Sequence, residues 1–261
     1  MKFSLTKSLM AIAIIALLAA CGANELENNN NAGSDDTGEK EVLTMATSAD
    51  YPPFETYNAE GEIVGFDIDI ANLIAEELGY ELKIEDMSFD GLVGALQAGR
   101  ADIVMAGMNS SEDRKQNVDF SVDYHHSMFT FLSSPDAPVE SLEDLEGHTV
   151  GVQLGTVQEE GAKLLAEEYG FEVKSVDDNG ILIQELNTGR IVAGYMDKTV
   201  ADGYLAEGDL VAFDDTSTST PGTAVAFPKG SELVDDVNQV LEELIDSGKI
   251  AELEEKWEIN Q

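Results

Sequence analysis

From Val42 onward, short apolar runs alternate with segments of helical period. Val42-Leu43-Thr44-Met45-Ala46 predicts a strand. Over residues 66–78 the apolar positions 66, 70, 73, 74 and 78 form one face of a helix, and Gly79 follows as its stop. Leu82-Lys83-Ile84 predicts a strand, residues 91–97 a helix ended by Gly99, and residues 102–106 another strand. The series restarts after Pro135: a short helix at 142–145, a strand at 149–152, a helix at 157–169 ended by Gly170, a strand at 172–174, a helix at 181–188 and a strand at 191–196. Alternation of this kind predicts α/β units with mainly parallel sheets flanked by helices. Two such units lie in tandem. A strand at 223–227 and helices at 233–246 and 250–257 are too few for a third unit and are expected to pack back on the first.

The two units share a pattern. Leu96-Gln97-Ala98-Gly99-Arg100-Ala101-Asp102-Ile103 matches Leu186-Asn187-Thr188-Gly189-Arg190-Ile191-Val192-Ala193. In each, a helix meets a glycine able to take the left-handed conformation, and a strand begins. Eleven residues past each leucine stand Gly107 and Asp197. Equivalent units would put both at strand carboxyl ends, where open α/β sheets bind ligands.

The N-terminal end has a different character. Lys2 and Lys7 precede an apolar run from Leu9 to Ala20, too short to span a bilayer, and small residues lead into Cys21, the only cysteine. A lone cysteine has no disulfide partner, and its place here resembles the bacterial lipoprotein signal: residues 1–20 would be removed and Cys21 would carry lipid. An ordinary signal peptide with an incidental cysteine is the alternative. Residues 21–42, with the run Asn28 to Asn31, are too polar to build a core and read as a tether.

Charge narrows the partners. Lys and Arg total 14 against 52 Asp and Glu, a net −38, which loss of Lys2 and Lys7 would take to −40. Such a surface excludes nucleic acid and anionic lipid faces. Hydrophobic residues still make up 43%, so the acidity overlies an ordinary core and suggests adaptation to high salt.

Asp50-Tyr51-Pro52-Pro53-Phe54-Glu55, Gly65-Phe66-Asp67-Ile68-Asp69, Phe89-Asp90-Gly91-Leu92, Arg114 with Asp119-Phe120-Ser121, Gly151 to Thr156 and Lys256-Trp257 occur in that order. Together they resemble the polar amino-acid-binding proteins of ABC importers, bacterial extracellular solute-binding proteins of family 3. The resemblance covers about 42–257 and implies a periplasmic-binding-protein-like fold of two lobes: 43–125 plus 223–261, and 130–218, with hinges at 126–129 and 219–222. It implies a cleft in which Arg114 grips an α-carboxylate and Asp197 an α-ammonium, from opposite lobes. Gly107 and Asn109 would assist at the ammonium, and the N–H groups of Thr156 and Val157 at the carboxylate. Tyr51 and Phe89 would sandwich the ligand side chain, with Ser48, Ala106, Gln153 and Gln158 around it and Asp50 and Glu55 near the rim. Physics agrees with a paired clamp, because a buried zwitterion needs a partner for each charge.

Plainer roles compete: Arg114 as a surface ion pair, Asp197 as a helix cap, Tyr51 and Phe89 as core. His125 and His126 fall at the first hinge, and neighbours on an extended segment point apart, which disfavours a metal site. The favoured ligand is arginine or another basic amino acid, then glutamine or cystine. No cofactor, no metal and a monomer are expected, with a membrane permease as partner. The alternatives are a sensing lipoprotein and a cyclohexadienyl dehydratase-like enzyme. The chain has no G-x-S-x-G, phosphate loop or H-E-x-x-H to favour catalysis.

Overall fold

The computed structural model describes residues 40–206, 208–218 and 220–259. The expected signal segment, Cys21 and nearly all of the expected tether lie outside the described residues. Among those described, no helix is long and apolar enough to cross a membrane.

The first sheet starts with β1 (Val42–Thr47). A small antiparallel sheet follows, made of β2 (Asp50–Tyr51), β3 (Glu55–Tyr57) and β4 (Ile63–Val64). Helix α1 (Phe66–Leu78) buries Phe66, Ile70 and Ile74, and ends where Gly79 turns left-handed at φ 80°. Then come β5 (Glu81–Asp86), a 3-10 turn at Phe89–Gly91, α2 (Leu92–Gln97), β6 (Ile103–Val104), α3 (Glu112–Lys115) and β7 (Val118–Phe120). The second sheet begins with β8 (Phe129–Ser133) and β9 (Thr149–Gln153), continues through α4 (Val157–Tyr169), β10 (Glu172–Val176), α5 (Asn179–Asn187), β11 (Ala193–Asp197) and α6 (Lys198–Ala206), and finishes with β12 (Val211–Asp215). The chain returns as β13 (Ala226–Pro228), α7 (Leu233–Asp246) and α8 (Lys249–Lys256).

Both five-stranded sheets follow one plan. The first runs β5-β1-β6-β13-β7 and the second β10-β9-β11-β8-β12. In each, three strands pair in parallel, a fourth (β13 or β8) runs against them, and the edge strand (β7 or β12) pairs antiparallel with that fourth. β13 occupies in the first sheet the place β8 holds in the second. The strands β7, β8 and β12, which join their sheets through antiparallel pairs, carry no helix-strand alternation of their own, so the sequence pattern did not announce them.

The shared motif folds alike in both units. Gly99 and Gly189 take φ 64° and 68°. The N–H of Gly99 donates to the Leu96 carbonyl and that of Arg100 to Ala95; Gly189 and Arg190 donate to Leu186 and Glu185 in the same way. This paired 5→2 and 6→1 closure is a Schellman motif. It turns each helix directly into the strand that reaches Gly107 or Asp197.

Two antiparallel segments cross between the sheets. Tyr124 N–H donates to the Thr223 carbonyl at 2.9 Å and Thr223 N–H to the His125 carbonyl at 2.8 Å. His125 is buried and His126 exposed, as opposite-facing neighbours should be. Gly222 lies so close to Asp123 that a Cβ there would be 2.3 Å from a carboxylate oxygen. α8 is tied to the first unit by Asp69, whose Oδ2 accepts from Trp257 Nε1 at 2.7 Å and Lys256 Nζ at 2.6 Å. Hydrogen bonds to charged groups contribute about 1.5–3 kcal/mol. Trp257→Phe should therefore cost about 1.5 kcal/mol in urea unfolding; an unchanged midpoint would show that the tie contributes nothing.

Candidate functional site

The two units meet along a cleft, and Arg114 is its first landmark. Ser111 caps α3 by accepting from Arg114 N–H, which sets the arginine at the mouth. Its Nη1 donates to the Asn109 carbonyl at 2.9 Å, and its Nη2 reaches across to the Gly155 carbonyl of the second unit at 3.0 Å. The guanidinium lies 5.2 Å from the centre of the Phe89 ring, a cation–π contact. No ion pair to Arg114 exists among the described residues. Burial lowers its pKa to about 10, so the charge persists at neutral pH. A mouth cavity of about 270 Å³ joins Arg114, Phe89 and Gly155.

Across the cleft stands the turn before α4. Thr156 caps this helix, its Oγ1 accepting from Glu159 N–H and donating to the Gln153 carbonyl. Glu159 Oε2 accepts from Gly155 N–H at 2.8 Å, and Lys163 and Ser175 hold its other oxygen. The Thr-x-x-Glu spacing, a capping-box signature, could have marked Glu159 in the sequence. No hydrogen bond uses the N–H of Thr156 or Val157 among the described residues; these donors open the α4 helix, where an anion is favoured.

Deeper in, Tyr51, Gln153, Thr156, Gln158, Asn179, Tyr195 and Met196 enclose about 10 Å³, room for about one water. A solute therefore enters only when the units part. Asp50 closes this region across the two units. Its Oδ2 accepts from Gln153 Nε2 (3.0 Å), Asn179 N–H (2.8 Å) and Asn179 Nδ2 (3.3 Å), and its Oδ1 from Ser48 Oγ (2.7 Å). Asn179, the first residue of α5, escaped the sequence reading because that helix was expected to begin at 181. A cavity of about 770 Å³ lies apart from this chemistry, beside α6 with His126 and Lys198 in its wall.

Asp197 ends β11 and is buried. Its Oδ1 accepts from Thr199 N–H at 2.8 Å, so it caps α6 and still faces the region of Tyr51. Burial raises its pKa, with Ser127, His125 and Thr199 opposing. Gly107 stands beyond β6 at φ 54°, and a Cβ there would lie 2.8 Å from the Tyr51 ring. The Asn109 side chain is engaged with the Pro221 carbonyl at 2.9 Å. Ala106 is buried in a core cluster with Leu92 and Met108. Tyr51 stacks on Phe54 at 5.7 Å, while Phe89 carries Arg114, so the two aromatics flank different parts of the cleft.

The expectation that Glu55 lies near the rim is corrected: it is fully buried, because β3 turns that side chain inward. Neither of its oxygens has a hydrogen-bond partner. Burial, then the neighbouring Asp67 and Asp50 charges, push its pKa well above the usual carboxylate range.

Residues 43–260 match the profile of the bacterial extracellular solute-binding proteins, family 3. The arginine-binding extracellular protein ArtP of Bacillus subtilis is 40% identical over 252 residues, covering 95% of each chain. A probable histidine-binding protein of Campylobacter jejuni is 32% identical over 99% of this chain and 100% of its own. The solved structure of an ancestral arginine-binding protein bound to arginine superposes with a TM-score of 0.79 at 37% identity, over 84% of this chain and 98% of that one.

The Glu55 environment makes a pH prediction. Unfolded, its carboxyl loses its proton near 4.5; folded, it keeps the proton to higher pH. Protons bound only in the folded state make stability fall as pH rises through that window. Glu55→Gln removes this titration, so its melting temperature relative to wild type should rise between pH 4 and pH 7. A constant difference would mean that Glu55 titrates normally.

Proposed function

Because the chain belongs to the bacterial extracellular solute-binding proteins of family 3, we propose that it closes around a basic amino acid, arginine first, and delivers it to the membrane permease of an ABC importer. The observation that carries this reading is Arg114: a guanidinium in an interlobe cleft, stacked on an aromatic ring, with only carbonyls as partners. A carboxylate is the group such a fork pairs with most strongly. Asp197, from the other lobe, answers the α-ammonium, and the free N–H groups of Thr156 and Val157 add donors for the carboxylate. A ligand gripped by both lobes stabilises the closed form over the open one.

Two points support a basic side chain. The relatives include a named arginine-binding protein. The cleft around Tyr51 also holds the carboxyl groups of Asp197 and Asp50, both of which act on its hydroxyl. Tyr51 and Phe89 supply aromatic faces, and Ser48, Gln153 and Gln158 line the side-chain end.

The assignment extends to the whole chain. The lobes comprise 43–125 with 223–261, and 130–218, hinged at 126–129 and 219–222. Cys21 carries a lipid anchor that holds a monomer at the outer membrane face. The chain binds and does not catalyse: its cleft carboxylates serve as charge partners and caps. The acidic surface serves life in salt.

A thermal-shift screen of residues 22–261 against the twenty amino acids, ornithine, cystine and citrulline tests the ligand. Arginine should give the largest shift, since a ligand at 100 times its Kd adds about 2.7 kcal/mol. Arg114→Ala and Asp197→Ala should abolish the shift while the proteins still fold. No shift with any amino acid would sink the reading. Intact-mass analysis of membrane-extracted protein should show a diacylglyceryl adduct that Cys21→Ser removes; an unmodified wild type would exclude the anchor.

A further inference from the structure

The proposed clamp asks a glycine to hold a carbonyl steady. Gly107 is the residue expected to accept from the α-ammonium, yet glycine is the residue with the freest backbone. No larger residue can replace it, because its φ is 54° and a Cβ would strike the Tyr51 ring at 2.8 Å. Its stiffness must come from outside.

It comes from Asp67. This carboxylate is fully buried in the first turn of α1, where the helix N-terminus favours negative charge. Its Oδ2 accepts from Gly107 N–H at 2.8 Å, and its Oδ1 accepts from the Tyr124 hydroxyl at 2.8 Å. Both oxygens are held, so the carboxylate cannot rotate away. Glu55 is its neighbour among titratable groups. No hydrogen bond among the described residues ends on the Gly107 carbonyl, which leaves that oxygen available. Tyr124 belongs to the first crossing segment through its N–H bond to Thr223. One carboxylate thus links the glycine to the hinge.

We infer that Asp67 is the positioning residue for the ammonium half of the clamp, fixing the Gly107 peptide so that its carbonyl direction is set before the ligand arrives. Asp67 does not touch the ligand. The inference rests on the amino-acid reading above and adds to it a requirement on one residue. Burial raises Asp67 to about 6, so it is ionised and a strong acceptor at neutral pH.

A purely structural Asp67 would affect all ligands alike; a positioning residue affects only those with an α-ammonium. Calorimetry should compare arginine with 5-guanidinopentanoic acid, which lacks only the α-amino group, on wild type, Asp67→Ala, Asp67→Asn and Tyr124→Phe. If the screen selects another amino acid, that one and its des-amino analogue replace the pair. Asp67→Ala should weaken the amino acid at least about tenfold, the equivalent of about 1.4 kcal/mol, and leave the analogue within about twofold. Asp67→Asn, whose amide oxygen can still accept from Gly107, should recover most of the loss. Tyr124→Phe should show a smaller loss with the same selectivity, and it decides the matter if Asp67→Ala does not fold. Equal losses for both ligands, or none, would overturn the inference. A wild type that binds no amino acid would instead overturn the reading beneath it.

Discussion

A charged group withdrawn from water needs compensation, and at this cleft the compensation is incomplete by design of the chain. Among the described residues Arg114 bonds to carbonyl oxygens and a ring face and forms no ion pair, with Glu160 acting on it only from a distance. Asp197 is buried with a backbone N–H, hydroxyls and a histidine around it but no lysine or arginine. On the reading proposed above, each lobe carries half of an ion pair and a zwitterion supplies the other halves. The two Schellman turns deliver equivalent strand ends, and the matched sheets give both halves the same scaffold. The paired crossing segments, bonded through Tyr124, His125 and Thr223, join the two halves.

The parts of the fold visible in the sequence were those with local periodicity. Helix α1 was legible because its apolar face repeats over thirteen residues and a glycine ends it, and α4 for the same reason. The strands β7, β8 and β12 were not, since their partners lie far along the chain and nothing local specifies antiparallel pairing. The twin LxxGR motif carried more than its length suggests. Its two glycines require positive φ, so a sequence match translated directly into a matched turn.

The site was legible where a residue type has few alternative uses and obscure where it acts through a neighbour. Arg114 stood out through the motif around it, and Asp197 through the repeated turn that places it opposite Gly107 in the second unit. Asn179 is visible only once Asp50 is seen to reach across to it. Asp67 read as one acid among many in an acidic chain, and nothing in its spacing showed that Gly107, forty residues on, would lean on it. Glu55 looked like a rim residue because glutamate seldom goes inside without a mate; the β2–β3 hairpin puts it there regardless.

The bonds from Asp50 to Gln153 and Asn179 contain no ligand atom. They form with no solute between the lobes, and so they lower the energy of the shut state even when the cleft is empty. Bonds of this kind set timing. A lobe pair with its own attraction opens less often, so entry is slowed as the open fraction falls, and release is slowed because the filled cleft must break the same bonds to open. Asp50 thus has the place of a latch, whose strength would trade how fast the protein captures solute against how long it keeps it.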